Sequence, residues 1–213
     1  MFGVFNENIK LIHPKNVSLK AMMKKRKHLT KNEVNQLLTE SLNGTYGVRD
    51  YCMIYLAFIH GLRVSELCSL RISDFDLNEK TIFIYRLKNG FSTIHPLREK
   101  EITMLKRWID LRKDFPGCDS DWLFLSMKGL NISRKRVYSL ISFLGEKAGI
   151  SVKTHPHMLR HSCGFALADQ GADTRLIQDY LGHRNIQHTV TYTASNSARF
   201  RKLWTEEHLP RDF

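Results

Sequence analysis

The chain has 213 residues, of which 42% are hydrophobic, so it can form one domain with a substantial core. Its formal net charge of +12 favours a polyanionic partner such as nucleic acid. Secretion and membrane insertion are disfavoured, because the N-terminus lacks the apolar segment of a signal peptide and no apolar run approaches the roughly 18 residues of a membrane span. We therefore expect a cytoplasmic protein.

The surplus positive charge is concentrated in the first 31 residues, where eight Lys and Arg residues face a single glutamate. The densest cluster is Lys24, Lys25, Arg26 and Lys27. Such a run is typical of a solvated tail and equally of an arm that binds DNA. Folded structure is predicted to begin near residue 29, because Thr30 and Glu33 form a capping-box pattern ahead of a periodic apolar run.

The rest of the chain carries mostly helical signals. Periodic apolar residues predict helices at 47–60, 65–70, 99–114, 133–148, 157–170 and 173–181, with a shorter one before Tyr192. One of these helices opens with a basic cluster that can contact DNA or simply remain solvated, namely Arg134, Lys135 and Arg136. Three of the four cysteines lie in apolar helical patterns and are expected to be buried free thiols: Cys52, Cys68 and Cys163.

One segment carries a hairpin signal instead. Residues 81–87 and 92–97 are rich in β-branched and aromatic side chains, and the turn residues Lys88-Asn89-Gly90 lie between them. This arrangement places Lys88 at the tip of the hairpin. The predicted fold is therefore mainly α with a small antiparallel β-sheet.

His157 and Arg160 lie three residues apart at the start of a predicted helix, so they share one face. A guanidinium fork matches phosphate oxygens bidentately and stays charged at any working pH. The start of the helix adds a favourable dipole and backbone N–H groups. The pattern therefore predicts a phosphate site.

Tyr192 lies nine residues after His183, which itself follows a glycine. A phenol is a poor nucleophile at neutral pH unless nearby cations or a base favour its deprotonated form. The flanking histidines and arginines are expected to provide that environment. A lone tyrosine would more often be a packing residue, so this hypothesis depends on the surrounding motifs.

Four motifs occur in a specific order: Gly61-Leu62-Arg63-Val64-Ser65-Glu66-Leu67, His157-x-x-Arg160, Leu181-Gly182-His183 and Tyr192. In this order and spacing the chain resembles the tyrosine site-specific recombinases of the phage-integrase family, over roughly residues 30–205. Within that family, residues 154–186 are similar to the fimbrial phase-variation DNA invertases, which switch a promoter segment.

The resemblance implies a reaction without metal or other cofactor. Tyr192 would attack a DNA phosphodiester, form a 3′-phosphotyrosyl link and free a 5′-hydroxyl, and the 5′-hydroxyl of a partner strand would reverse the step. Glu66, three residues after Arg63, could orient the Arg63 guanidinium.

The resemblance also implies roles for the other catalytic residues. Arg63 and Arg160 would bind the scissile phosphate, and Lys88 would act as general acid toward the leaving 5′-oxygen. His157 and His183 would provide acid–base help and hydrogen bonds. A cluster of histidines could instead suggest a metal site, but the sequence has no H-E-x-x-H pattern and no nearby carboxylate pair to support it.

The expected organisation is a basic arm at 1–28, a catalytic domain at 29–194 and a C-terminal tail at 195–213, without the family's usual N-terminal core-binding domain. The expected partners are double-stranded DNA with inverted-repeat sites, a homotetramer on paired sites and accessory DNA-bending proteins, with a nucleoid location and no membrane. The tail could dock on a neighbouring protomer or pack on its own domain. Alternative functions are integration or excision, DNA-binding regulation without chemistry, and topoisomerase-like activity.

Overall fold

The structure, a computed structural model, describes residues 26–87 and 90–194. It confirms a mainly helical fold with a small antiparallel sheet. The helices are α1 Lys31–Leu42, α2 Gly47–Ile59, α3 Val64–Cys68, α4 Glu99–Arg112, α5 Arg134–Lys147, α6 Pro156–Asp169, α7 Thr174–Leu181 and α8 Gln187–Ala194. Among the described residues, no helix is both long and apolar enough to cross a membrane.

The start of α1 has the predicted capping box. The Thr30 hydroxyl accepts a hydrogen bond from the Glu33 backbone N–H at 3.3 Å, and the Glu33 carboxylate accepts one from the Thr30 N–H at 2.8 Å. The two bonds satisfy donors that a helix N-terminus otherwise leaves unpaired. Leu29, directly before this cap, is buried in the core.

The sheet has three strands in the order β1 Phe75–Asp76, β2 Thr81–Ile84 and β3 Thr93–Pro96. The β2–β3 hairpin was predicted, although its strands end earlier than the apolar pattern suggested. Strand β1 was not predicted, because two residues are too few to show a period. Lys88 and Asn89 lie outside the described residues.

The core surrounds α2, which packs against α1, α4 and α6. A helix that is apolar on all sides is stable only when it is enclosed. Cys52, Ile54 and Leu56 of α2 are fully buried. The three cysteines predicted to be buried are buried, and burial raises the thiol pKa of Cys68 to about 11 and that of Cys163 to about 12.

A second, smaller core joins α6, α7 and α8, and Tyr192 belongs to it. The predicted short helix is present as α8, but it extends past Tyr192 to Ala194. The helix contains several threonines, so its sequence shows no apolar periodicity, although two of these threonines are buried. Thr189 hydrogen-bonds the His183 ring at 2.9 Å, and Thr193 hydrogen-bonds Thr174 at 2.8 Å.

Candidate active site

The site is built where the ends of α2 and α7 meet. Gly61 follows α2 with a φ of 56°, a left-handed conformation that glycine adopts without strain. A Cβ atom at this position would lie 2.3 Å from Cδ2 of Leu181, at the end of α7. The left-handed conformation and this close contact both favour glycine where the two helix ends meet.

Arg63 lies directly before α3 and is held by Glu66. Its backbone N–H donates to Glu66 Oε2 at 2.9 Å, and its Nη1 donates to Oε1 at 2.6 Å. The Arg63 side chain is 20% exposed whereas that of Glu66 is 1% exposed. The carboxylate therefore fixes one edge of the guanidinium and leaves part of the group accessible to an anion.

Arg160 lies on α6 and is buried. Its Nη1 donates to the Gly61 carbonyl, and its Nη2 donates to the Leu181 carbonyl at 2.8 Å. It thereby joins the ends of α2 and α7. Burial, reinforced by Arg63 and Arg86, lowers the pKa of Arg160 to about 10, so the group remains charged at neutral pH.

Arg86 is a third arginine of the site and was not among the residues predicted from the sequence. Its Nη1 donates to Glu66 Oε2 at 3.0 Å, and its Nη2 donates to the carbonyls of His60 at 3.1 Å and Tyr180 at 2.7 Å. The one available signal was a charged residue that follows the apolar run of β2.

The three guanidinium groups surround a single carboxylate, since Arg160 Nη1 also lies 4.0 Å from Glu66 Oε2. Burial by itself would raise the pKa of Glu66, but Arg86 and Arg63 outweigh it, so this pKa lies below its ordinary value. Glu66 is therefore ionised at neutral pH. The cluster keeps an excess of positive charge that suits a phosphate ligand.

His183 follows Gly182, which ends α7 in the left-handed conformation with a φ of 64°. The ring Nδ1 lies 2.9 Å from the Thr189 hydroxyl, and the His183 carbonyl accepts a hydrogen bond from Gln178 Nε2 at 2.9 Å. Burial, reinforced by Arg160 and Arg63, lowers the pKa of His183 to about 3. The imidazole is therefore neutral at physiological pH and can donate or accept a single proton.

Tyr192 is 2% exposed and packs between aromatic rings. Its ring centroid lies 5.3 Å from that of Phe165 and 6.3 Å from that of His183. A Cβ atom at Gly164 would lie 2.6 Å from the Tyr192 ring, so α6 must carry a glycine where the tyrosine rests. The nucleophile candidate is therefore held closely against α6.

The protonation of Tyr192 differs from the expectation. Nearby cations were expected to favour the phenolate, but burial raises the pKa of Tyr192 and outweighs the opposite effects of Arg160 and Arg63. The physical reason is that an ion loses more solvation in this closed pocket than the arginines restore. In the free protein Tyr192 is a neutral phenol.

His161 is the hydrogen-bond partner of that phenol, with its Nδ1 3.0 Å from the Tyr192 hydroxyl. Burial, reinforced by His157 and Arg160, lowers the pKa of His161 to about 4. A neutral imidazole at this distance can accept the phenolic proton. No catalytic role was predicted for His161 from the sequence, although its position directly after Arg160 was a usable signal.

His157 and Arg160 were expected to point at one phosphate together. The structure separates them by burial: His157 is exposed in the first turn of α6, whereas Arg160 is buried and directed at two carbonyls. His157 is nevertheless near the site, since it contributes to the lowered pKa of His161.

The remaining predicted residues are at the surface or outside the described ranges. Lys88, Lys24 and Lys25 are outside. Arg26 pairs with Glu33 and Lys27 is exposed. The exposed residues that open α5 are Arg134, Lys135 and Arg136. Within residues 26–87 and 90–194 no three His, Cys, Asp or Glu side chains are grouped to hold a metal ion, and the independence from metal stays a prediction.

Comparison with known proteins gives a family and close relatives. The model of the phage integrase family matches residues 27–199. The type 1 fimbriae regulatory protein FimB of Escherichia coli K12 is 57% identical over 185 residues, which cover 87% of this chain and 92% of FimB. The type 1 fimbriae regulatory protein FimE of the same strain is 54% identical over 188 residues, which cover 88% of this chain and 95% of FimE.

Solved structures are similar in fold. The crystal structure of XerA recombinase superposes with a TM-score of 0.71 at 33% identity, over 86% of this chain and 65% of XerA. The XerH site-specific recombinase, in a post-cleavage complex with its palindromic difH substrate, gives a TM-score of 0.72 at 27% identity, over 94% of this chain and 59% of XerH. The chain thus spans between 59% and 65% of the length of these two recombinases.

Proposed function

Because this chain belongs to the phage integrase family, we propose that it is a tyrosine recombinase that cleaves and rejoins double-stranded DNA at inverted-repeat sites. Its similarity to two regulatory proteins of type 1 fimbriae supports inversion of a promoter segment, and thereby fimbrial phase variation, as the biological process. The cytoplasm, on the nucleoid, is the proposed location.

The observation that carries the proposal is the contact between the Tyr192 hydroxyl and the neutral His161 ring, beside a cluster of arginines. This arrangement combines a nucleophile, a proton acceptor and a phosphate-binding group. Arg63 offers its accessible edge to a non-bridging oxygen of the scissile phosphate. Arg160 holds the ends of α2 and α7 together beside that position.

The proposed reaction exchanges one phosphodiester for another. The Tyr192 oxygen attacks phosphorus and loses its proton to His161, while the bond from phosphorus to the 5′-oxygen breaks. Lys88 supplies a proton to that leaving oxygen, as the family resemblance implies. The 5′-hydroxyl of a partner strand then attacks the phosphotyrosine, which releases Tyr192. No external energy source is required, because each step forms one phosphate ester bond and breaks another.

His183 and His157 complete the proposed site. The buried His183 is a hydrogen-bond donor to a non-bridging oxygen, since its ring is neutral and its Nδ1 is paired with Thr189. His157 is exposed and therefore accessible to bound DNA. Both would stabilise the charge that develops on the phosphate.

The proposed assembly is a tetramer on two paired sites, assisted by DNA-bending proteins. The arm at 1–28 adds phosphate contacts, and the tail at 195–213 docks on a neighbouring catalytic domain. Crosslinking on DNA that carries two sites, with and without residues 199–213, tests the tail. Unchanged crosslinking without those residues would show that the tail does not join protomers.

A nicked suicide substrate tests the chemistry. Wild-type protein should form a covalent complex with the DNA, also in the presence of EDTA, because the reaction uses no metal. Tyr192→Phe should bind the DNA and form no covalent complex. Tyr138→Phe is the matched control, since Tyr138 is an exposed tyrosine of α5 and should not affect trapping.

The outcomes separate three functions. Absence of trapping by the wild type would contradict a recombinase and favour a DNA-binding regulator. Trapping without inversion of a plasmid that carries two sites, but with relaxation of its supercoils, would favour a topoisomerase. Trapping together with inversion supports the proposed recombinase.

A further inference from the structure

Arg86 follows β2 and lies where this segment meets α3 and the ends of α2 and α7, without reaching the surface. Its side chain is 0% exposed, whereas that of Arg63 is 20% exposed. A fully enclosed guanidinium cannot contact DNA in this conformation. Any effect of Arg86 on the reaction must therefore pass through the groups that it holds.

The first of these groups is the carboxylate of Glu66. Arg63 binds Oε1 at 2.6 Å and Arg86 binds Oε2 at 3.0 Å, so the two guanidinium groups approach the carboxylate from different sides. Charge-assisted hydrogen bonds of this kind are strong and directional. Without Arg86, Oε2 would lose its buried cationic partner, and Glu66 would turn toward Arg63 or Arg160 to recover one.

The second group consists of the backbone at the ends of α2 and α7. Arg86 donates to the carbonyls of His60 and Tyr180. Arg160 donates to the carbonyl of the following residue at each helix end, Gly61 and Leu181. The last carbonyls of a helix lack partners within the helix, and a cation there is favourable. The two arginines therefore fasten the end of α2 to the end of α7 side by side.

The third contact is steric. A Cβ atom at Gly182 would lie 2.8 Å from Cγ of Arg86, so the aliphatic part of the arginine lies directly against this glycine. His183 is the next residue. The Arg86 side chain therefore also supports the turn that positions the His183 ring.

We propose that Arg86 is a positioning residue of the active site, which holds Glu66 and the two helix ends so that Arg63, Arg160 and His183 converge on one phosphate. This inference depends on the proposed recombinase function. It assigns no direct DNA contact to Arg86. It predicts that the chemical step, and not DNA binding, depends on this side chain.

Lysine is a poor replacement at this position. The guanidinium spreads its donors over a rigid plane and reaches Glu66 and two carbonyls that lie in different directions. An ammonium group keeps the charge but concentrates its donors on one atom. Arg86→Lys should therefore recover only part of the activity that Arg86→Gln loses.

Arg112 provides a matched control. It is also buried, and its hydrogen bonds go to the carbonyls of Trp122, Cys118 and Ser120, none of which belongs to the site. Arg112→Gln and Arg112→Lys remove a comparable buried guanidinium. They should lower the melting temperature and leave the trapping rate of the folded protein unchanged.

The experiment measures single-turnover trapping at saturating DNA, together with the half-saturating DNA concentration. Each variant is given two suicide substrates, one with the ordinary scissile phosphate and one with a methylphosphonate in its place. The methylphosphonate lacks one negative charge, so the rate of attack on it depends less on correctly placed arginines. The ratio of the two rates does not depend on how much of the protein is folded.

Arg86→Gln should reduce the trapping rate on the ordinary phosphate by about 100-fold, as expected for a misplaced catalytic group, with little change in the half-saturating concentration. Its defect should be clearly smaller on the methylphosphonate, and Arg86→Lys should be intermediate. A wild-type rate for Arg86→Gln, or an equal defect on both substrates, would overturn the inference. Failure of the wild type to form any covalent complex would instead refute the proposed function itself.

Discussion

At the scale of single residues, the proposed nucleophile Tyr192 and its hydrogen-bond partner His161 have complementary protonation states. Burial raises the pKa of the Tyr192 phenol and lowers that of His161 to about 4, so the pair shares one proton, which stays on the phenol. The hydroxyl is thereby kept in place at 3.0 Å from a neutral acceptor. In the free protein Tyr192 is therefore a neutral phenol beside its proton acceptor, and in the proposed reaction proton transfer to His161 accompanies attack.

His161 should therefore be required for the chemical step. His161→Leu removes the proton acceptor and should reduce trapping on a suicide substrate by about 100-fold, which is the usual contribution of a general base. His161→Asn keeps a short side chain with a carbonyl acceptor and should recover part of that loss. A wild-type trapping rate for His161→Leu would show that the hydrogen bond only packs the tyrosine.

At the scale of elements, α6 connects the N-terminal arm to the site. The Ser162 hydroxyl donates to the Leu29 carbonyl at 2.9 Å and accepts from the Leu29 N–H at 2.7 Å. Directly before Leu29, the His28 ring lies 4.1 Å from that of Phe165, which contacts Tyr192. The basic arm therefore joins the domain on the same helix that carries Arg160 and supports the nucleophile.

This location predicts that the arm contributes to DNA binding through phosphate contacts. Deleting residues 2–27 should weaken binding and reduce the slope of log K against log salt, by about 0.9 for each lost phosphate contact. Replacing Lys24, Lys25, Arg26 and Lys27 by glutamine should produce part of this effect without shortening the chain. Fluorescence anisotropy between about 50 and 200 mM salt measures the slope. An unchanged slope would exclude an arm that binds phosphates.

At the scale of the whole molecule, histidines are buried in two places within the described residues. One is the candidate active site, and the other is a network in which His60 Nδ1 lies 3.1 Å from His95 Nδ1 and His60 Nε2 lies 2.8 Å from Glu101. The His95 ring stacks on Tyr180 at 3.9 Å and so touches the end of α7. Burial, reinforced by His60 and Arg86, lowers the pKa of His95 to about 3.

These histidines predict an acid-sensitive fold. In the folded protein the pKa is about 3 for His95 and His183 and about 4 for His161, below the ordinary value near 6.5. At pH values between the folded and the ordinary pKa, the unfolded chain therefore binds more protons than the folded protein. The free energy of unfolding should therefore fall as pH decreases below about 6.5, by up to about 1.4 kcal/mol per pH unit for each histidine.

Urea unfolding at pH values from 7.5 down to 4.5 measures this dependence. His95→Gln should lower stability at neutral pH, because it disrupts a buried network, and should make the pH slope shallower by removing one of the titrating groups. A wild-type free energy of unfolding that is constant between pH 6.5 and 5 would contradict the buried neutral state of these rings.

The sequence alone determined the features that depend on local chemistry. Apolar periods located the long helices, the capping box at Thr30 located the start of α1, and the motifs around Arg63, Arg160, His183 and Tyr192 indicated the family. Strand β1 was not predicted, since two residues show no period, and helix α8 was predicted to end too early, since its buried threonines resemble a polar surface.

Only the tertiary structure decided the burial, the hydrogen-bond partners and the pKa values of the residues in the site. Arg86 donates a hydrogen bond to the carbonyl of Tyr180, 94 residues away in the sequence, and Arg160 donates one to the carbonyl of Gly61, 99 residues away. No sequence pattern reports such contacts, because burial and partner geometry arise when distant segments pack. At Tyr192 the same packing raises the pKa of the phenol by more than the nearby arginines lower it, so the phenol stays neutral. Desolvation depends on how completely a group is enclosed and not on the types of residue next to it in the sequence.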